Sequence, residues 1–138
     1  MNLLDEIRGS GKKSKELNIF VAKLIKEKRP TSKDFAAAIT LGNDSEKGTC
    51  VEALEYISQN NPKVAKPYIS QVILCLADKA PRVKWEAARV IGNVASKYPE
   101  EASKSVDGLL ANTNDKGTVV RWSAAFALGE ILKYNPSI

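Results

Sequence analysis

Apolar residues recur along the chain at the three-to-four spacing of amphipathic helices, and short polar breaks separate one such stripe from the next. Leu3, Leu4 and Ile7 predict a short first helix that ends at Arg8-Gly9-Ser10-Gly11, where two close glycines make further helix costly. Leu17, Phe20, Val21, Leu24 and Ile25 predict a second helix, with Ser14 as its N-cap and Pro30 as its limit. Phe35, Ala36 and Ile39 follow a Thr31/Asp34 pair at capping-box spacing and stop at Leu41-Gly42. Asn43-Asp44-Ser45 then caps a helix whose Ala53, Leu54 and Ile57 face inward, until Asn60-Asn61-Pro62 breaks it. Ile69, Val72, Ile73 and Leu76 mark the next helix, whose opening Pro67 must either restart or bend, and Pro81 starts its partner. Val106, Leu109 and Leu110 form the last first helix. Gly117-Thr118 then serves as turn and cap for a long alanine-rich helix ending at Tyr134-Asn135-Pro136.

These stripes repeat. The stretch from Val83 to Val94 returns 37 residues later as Val120 to Ile131, and one step earlier the same register falls on Glu46 to Ile57. Pro62, Pro99 and Pro136 keep that register without slippage. A fixed period of this length is the mark of stacked supersecondary units, none of which buries its apolar face alone. The expectation is an all-α solenoid of about four helical hairpins in a single domain spanning 1–138, with an N-terminal hairpin at 1–30 and repeats at 31–61, 62–98 and 99–136. Two columns of the repeat have their own logic. Ala87/Ala88 and Ala124/Ala125, with Gly92 and Gly129 just after, remove side-chain bulk from the second helix of each unit, so that neighbouring helices approach closely. Asp78 with Lys84, and Asp115 with Arg121, place an acid at the end of the first helix and a base six residues on. Stacking turns these into a polar ladder in which the acids cap helix starts and pair with bases of the same or the next unit.

The pattern Asp-x-x-x-x-Val-Lys/Arg followed by Ala-Ala-x-x-Leu/Ile-Gly, read from Asp78 to Gly92 and again from Asp115 to Gly129, resembles the HEAT-repeat family, in particular its short HEAT-like repeats of the phycobilisome-lyase type. The resemblance is specific over about residues 62 to 136. The unit at 31–61 departs from it, with Leu41 where the ladder acid belongs, Glu46 for Val and Glu55 for Gly, so the ladder is expected to stop there. What the resemblance implies is an α-α superhelix of the HEAT and armadillo type, right-handed, whose second helices line a concave surface used in most members to bind other proteins.

On the side of the second helices opposite the alanines, the period stacks three rows: Gly48, Trp85 and Trp122; Glu52, Arg89 and Phe126; Tyr56, Asn93 and Glu130. Tryptophan, tyrosine and arginine are the residue types that most often anchor interfaces. Trp85, Arg89, Trp122, Phe126 and Glu130 are therefore the candidate partner-binding residues of a non-catalytic protein-interaction scaffold. The competing structural reading has Trp85 and Trp122 packing on each other to stiffen the stack.

Charge changes this picture at one end of the chain. Of 21 basic and 16 acidic residues, eight and four fall within residues 1–30, leaving 13 and 12 for the repeats, which are nearly neutral. Lys12, Lys13 and Lys15 are accordingly the candidate nucleic-acid contacts, although lysines flanking a turn are commonly just solvated. Alkylpurine DNA glycosylases, also built from HEAT-like repeats, supply the nucleic-acid alternative, and an accessory subunit of a lyase-type enzyme supplies a further one. Catalysis finds little support, because the chain has no histidine and no glycine-rich phosphate loop, and its Cys, Lys and carboxylate residues do not recur at a telling spacing. No metal site and no cofactor is expected. Cys50, in register with Ala87 and Ala124, and Cys75 read as buried thiols of a reducing compartment. A composition of 43% apolar and 27% charged residues excludes a disordered chain, and no apolar run approaches the roughly 18 residues that span a membrane. The start carries no secretory pattern, so a cytoplasmic location is expected. The last helix has no capping unit after it, so the expected alternatives are a monomer, an end-to-end homodimer or a chain whose other units were lost.

Overall fold

A computed structural model describes residues 1–137; Ile138, the last residue of the expected domain, lies outside them. Nine α-helices run in order: α1 (Leu3–Gly9), α2 (Ser14–Lys26), α3 (Ser32–Leu41), α4 (Asp44–Ser58), α5 (Ile69–Cys75), α6 (Pro81–Val94), α7 (Pro99–Ser103), α8 (Val106–Asn112) and α9 (Thr118–Tyr134). A 3-10 stretch, Pro62–Tyr68, precedes α5, and the described residues form no strand. The helices make two layers. α2, α4, α6 and α9 pack side by side in chain order, while α1, α3, the 3-10 stretch with α5, and α7 with α8 cover one flank of that row. One apolar core runs through the whole stack, from Leu3 and Ile25 through Phe35, Leu54 and Ile91 to Ile131, all of them buried. Phe35 rests on Tyr68 with ring centroids 4.9 Å apart, and the Tyr68 hydroxyl donates to the Pro30 carbonyl, which ties the second unit to the third.

Local chemistry explains most of the boundaries. Thr31 and Asn43 each close a capping box, with Asp34 and Glu46 respectively returning a bond to the cap's own N–H. Pro81 and Pro99 occupy first-turn positions where a missing N–H costs nothing. Pro67 restarts rather than bends its helix: the tighter 3-10 turns end at Tyr68 and regular helix begins at Ile69. Three expectations need correction. Ser14 does not cap α2, since Lys13 occupies the cap position, no side chain bonds there, and Ser14 itself has a φ of +50°. The helix also ends before Pro30 is reached. Lys28 turns left-handed at φ +59°, and the N–H groups of Lys28 and Arg29 return to the carbonyls of Ile25 and Leu24, the bond pair of a Schellman end. Thr118 does not cap α9 either, because the preceding Gly117 takes that position and the Asp115 carboxylate accepts its N–H at 2.8 Å.

The polar ladder runs between units, and it reaches further than expected. Lys47 and Lys84, 37 residues apart, each donate at 2.8 Å to an acid of the following unit, Asp78 and Asp115 respectively. Each acid also accepts an N–H two residues on, from Ala80 and from Gly117, so it starts the next helix while holding the previous one. Lys84 and the Gly117 N–H hold the Asp115 carboxyl below its usual range. For Asp78, burial works against ionisation, but the Lys47 ammonium and the Ala80 N–H outweigh it and the carboxyl is again lowered. The unit at 31–61 thus lacks the acid, at Leu41, but supplies the base. Its tie to α1 is a different pair, in which the Arg8 guanidinium makes two bonds of 2.8 and 3.0 Å to the Glu46 carboxylate. Arg121, next in the column of bases, turns back on its own loop and donates to the carbonyls of Asp115 and Lys116.

Small residues set the spacing of the second helices as expected between α6 and α9, where Ala87, Ala88, Ala124 and Ala127 are buried. The outer face of α9 departs from that expectation. Ala125, Gly129 and Leu132 are exposed there, although their counterparts Ala88, Gly92 and Ala95 are buried one unit earlier. The two glycines consequently do different things: a Cβ on Gly92 would collide with the Phe126 ring, whereas one on Gly129 would meet nothing within 4 Å. Both thiols, Cys50 and Cys75, are free and buried, and burial pushes each up to about 12, which keeps them protonated.

Gly129→Ala should therefore stabilise the protein by about 1 kcal/mol in urea denaturation, the ordinary helix-interior gain. Gly92→Ala should forfeit that gain because the ring must leave, and should recover it in a Phe126→Ala background. Equal effects of Gly92→Ala in both backgrounds would show that the ring does not lie on Gly92.

Candidate functional site

Two adjoining recesses open along the row of second helices. The first, of about 340 Å³, lies between α4, α6 and α9 and is lined by Glu55, Gln59, Arg89, Asn93, Trp122, Ser123 and Phe126. The absent side chain at Gly92 lets α9 lay Phe126 across α6, and one turn back along α9 this aims Trp122 outward over the same space. Trp122 is 69% exposed and Phe126 43%, a large apolar area left in water. Arg89 is oriented by its Nε, which donates to the Ser123 hydroxyl at 3.2 Å. In the same lining, the amides of Gln59 and Asn93 both donate to the Glu55 carboxylate, at 2.8 and 2.9 Å.

Of the five partner-binding candidates, the fold thus brings Arg89, Trp122 and Phe126 to one recess. Trp85 and Glu130 are half-buried and line neither recess. Among the described residues the one close aromatic pair is Phe35 with Tyr68, so Trp85 and Trp122 do not stack on each other.

The second recess, of about 310 Å³, lies between α2, α4 and α6 and is lined by Lys15, Asn18, Ile19, Glu52, Glu55, Tyr56, Glu86 and Arg89. Arg89 and Glu55 line both recesses, so the two adjoin. Glu52 accepts from the Asn18 amide and, at 3.0 Å, from Arg82. Glu86 is only 6% exposed, and its Oε1 has no hydrogen-bond partner, nor has the Oδ1 of Asn18. Burial first, and then the negative charges of Glu52 and Glu55, push the Glu86 carboxyl up to about 7; Arg89 opposes them without prevailing.

Glu86 is the residue that sequence reasoning missed. It stands between Trp85, assigned to the open face, and Ala87, assigned to the core, and a glutamate on an amphipathic helix is ordinarily solvated. The signal was in the period. The same register holds Thr49 and Ser123, and all three are buried, a polar column inside the stack.

The basic group of the N-terminal hairpin lies on the same side of the molecule. Lys12, Lys13 and Lys15 border a further recess together with Arg82, but Glu52 lines it as well, so the charge there is mixed. Lys12 also has a local use, with its ammonium 5.3 Å from the centre of the Phe20 ring. Among the described residues no group of three or more histidine, cysteine or carboxylate side chains is placed to hold a metal ion, and no helix is long and apolar enough to cross a membrane.

Glu86 makes the stability of the fold depend on pH with a definite sign. A carboxyl whose value rises from 4.5 to about 7 on folding binds more protons in the native state through that window, so its contribution is present at low pH and is lost as pH rises through it. Glu86→Gln should accordingly gain stability relative to wild type as pH rises from 5 to 8, measured by urea denaturation at each pH. A difference that stays constant over that range would contradict the burial of this carboxyl.

Comparison with known proteins finds one local match in sequence. A family model described as a HEAT-like repeat matches residues 81–131, the span from the first residue of α6 to Ile131 in α9. No curated protein and no solved structure matches the chain. The matched segment contains Val83, Ala87, Ala88 and Gly92 as well as Val120, Ala124, Ala125 and Gly129, the residues that carry the repeat. The part of the chain that is similar to the HEAT-like repeat model, residues 81–131, is thus the part that builds the α6–α9 contact and a wall of the first recess.

Proposed function

We propose that this chain is a non-catalytic interaction module that presents the α4–α6–α9 recess to a protein partner, with Trp122, Phe126 and Arg89 as its anchors and Trp85 and Glu130 at the margin. The observation that carries the reading is the exposure of Trp122 and Phe126 over a recess that Arg89 borders. Aromatic side chains bury large area at low entropic cost, and arginine supplies a directed polar contact, which is why these residue types dominate binding energy at interfaces. HEAT-like repeats commonly mediate protein–protein interaction, in keeping with this use of the surface. The near neutrality of the repeats and the mixed charge around Lys12, Lys13 and Lys15 favour a protein over nucleic acid, which requires several convergent bases.

The test is affinity capture by the full chain from native lysate, with and without nuclease, followed by titration of the recovered partner. Trp122→Ala should weaken binding by about 2 kcal/mol or more with the helical content unchanged. Capture abolished by nuclease, or an affinity indifferent to Trp122→Ala and Phe126→Ala, would overturn the assignment.

A further inference from the structure

The second recess is built to accept hydrogen bonds that nothing within the fold donates. Two acceptors that line it, Glu86 Oε1 and Asn18 Oδ1, are buried and unpartnered. Leaving such atoms unsatisfied destabilises the fold, more so when charge is involved. The other carboxylates of the recess, Glu52 and Glu55, already accept from Asn18, Arg82, Gln59 and Asn93. Lys15 and Arg89 also line the recess, yet neither donates to Glu86 Oε1 or Asn18 Oδ1, so what these two atoms lack is a donor, and one without acceptors of its own suits both. Ammonium offers three N–H donors and no acceptor, and guanidinium five and none. An anion could pair with Lys15 or Arg89 but would satisfy neither orphaned acceptor, and an apolar group would seal both away from water.

The rim says what carries the cation. Ile19 is 56% exposed and Tyr56 62%, and both line the same recess. They form apolar walls suited to an alkyl stem whose charged head reaches Glu86, the usual division of a long basic side chain. The volume, about 310 Å³, suits a single side chain rather than a folded element.

From these observations we infer that the recess between α2, α4 and α6 is a receptor for one lysine or arginine side chain of a protein partner, with Glu86 as the buried counter-charge, Asn18 as a second acceptor and Ile19 and Tyr56 against the stem. The inference rests on the proposed interaction function and specifies its partner, since Arg89 and Glu55 join this recess to the one bordered by Trp122. The partner surface thus carries a basic residue beside the group that meets Trp122 and Phe126. Binding of the cation also favours ionised Glu86. The charged and titratable groups that face it are Lys15 on α2, Glu52, Glu55 and Tyr56 on α4, and Arg82 and Arg89 on α6. Because Glu86 is protonated in part near neutrality in the free protein, occupation of the site releases a proton there.

The experiment is an NMR titration of the full chain with capped Gly-Gly-X-Gly-Gly peptides, where X is arginine, lysine or norleucine, and with spermidine. The arginine or lysine peptide should shift the Asn18 side-chain amide, the Ile19 methyls and the Tyr56 ring at millimolar concentration, and norleucine should not. Glu86→Gln should weaken that binding about tenfold, the value of a hydrogen bond to a charged group. Glu55→Gln, which leaves the buried position intact, should weaken it by less. Binding should tighten as pH rises from 6 to 8, and calorimetry in two buffers of different ionisation enthalpy should detect the released proton. Peptides that leave these signals unmoved, an equal response to norleucine, or undiminished binding by Glu86→Gln each overturn the inference. Spermidine binding without peptide binding overturns the assignment to a side chain. Failure here with partner capture intact removes the cation site alone, whereas loss of capture in the Trp122 experiment removes the interaction module itself.

Discussion

The aromatic recess on the open side of this molecule takes its dimensions from the close approach of α6 and α9. Ala87, Ala88, Ala124 and Ala127 are buried in this part of the stack, and Gly92 offers no side chain at all, so Phe126 crosses onto α6. Bulkier residues there would widen the recess and withdraw its aromatic wall. The Lys47–Asp78 and Lys84–Asp115 pairs then set the register along the helices, which apolar contact alone leaves loosely specified. A direct ion pair on a surface contributes little to stability. These pairs do more because each acid also starts the next helix, through the N–H of Ala80 or Gly117, so that one carboxylate links two units and orients a third element.

The same register places a carboxylate where a stable core would have none. Thr49 and Ser123 occupy the buried polar column with small groups, and Glu86 fills it with an ionisable one. Its cost to the fold is visible in a carboxyl pushed up to about 7. Its Oε1 has no hydrogen-bond donor within the fold, and the rungs of the ladder lie elsewhere. A buried carboxyl that faces a recess at this cost to the fold is what the inferred recognition of a basic side chain accounts for.

Much of this was legible in the sequence, and what was not has identifiable physical causes. The period carried the units, and Thr31, Asn43 and Pro81 carried their starts, because capping and proline effects act over three or four residues. The end of α2 was misjudged because a left-handed lysine, Lys28, does the work usually given to glycine, and composition offers no sign of it. The ladder was seen as a column of acids and bases, but its direction between units depends on stacking. The base Lys47 is therefore masked in the sequence by the absence of an acid at Leu41. Arg89, Trp122 and Phe126 came together as the rows implied, whereas Trp85 and Glu130 stayed apart, since identical positions in a helix do not have identical neighbours at the end of a stack. Ala125 and Gly129 make the same point, being close-packing residues that have nothing packed on them.

Carboxyl-detected NMR of the uniformly labelled protein, titrated from acid to neutral pH, reads the register and the buried column in one series of spectra. If the units stack at 37-residue intervals through the two rungs, Asp78 and Asp115 titrate below the ordinary aspartate range while Glu86 titrates far above the glutamate range, at about 7. Ordinary values at all three residues would contradict the account, because neither the rungs nor the buried carboxylate could then exist as described.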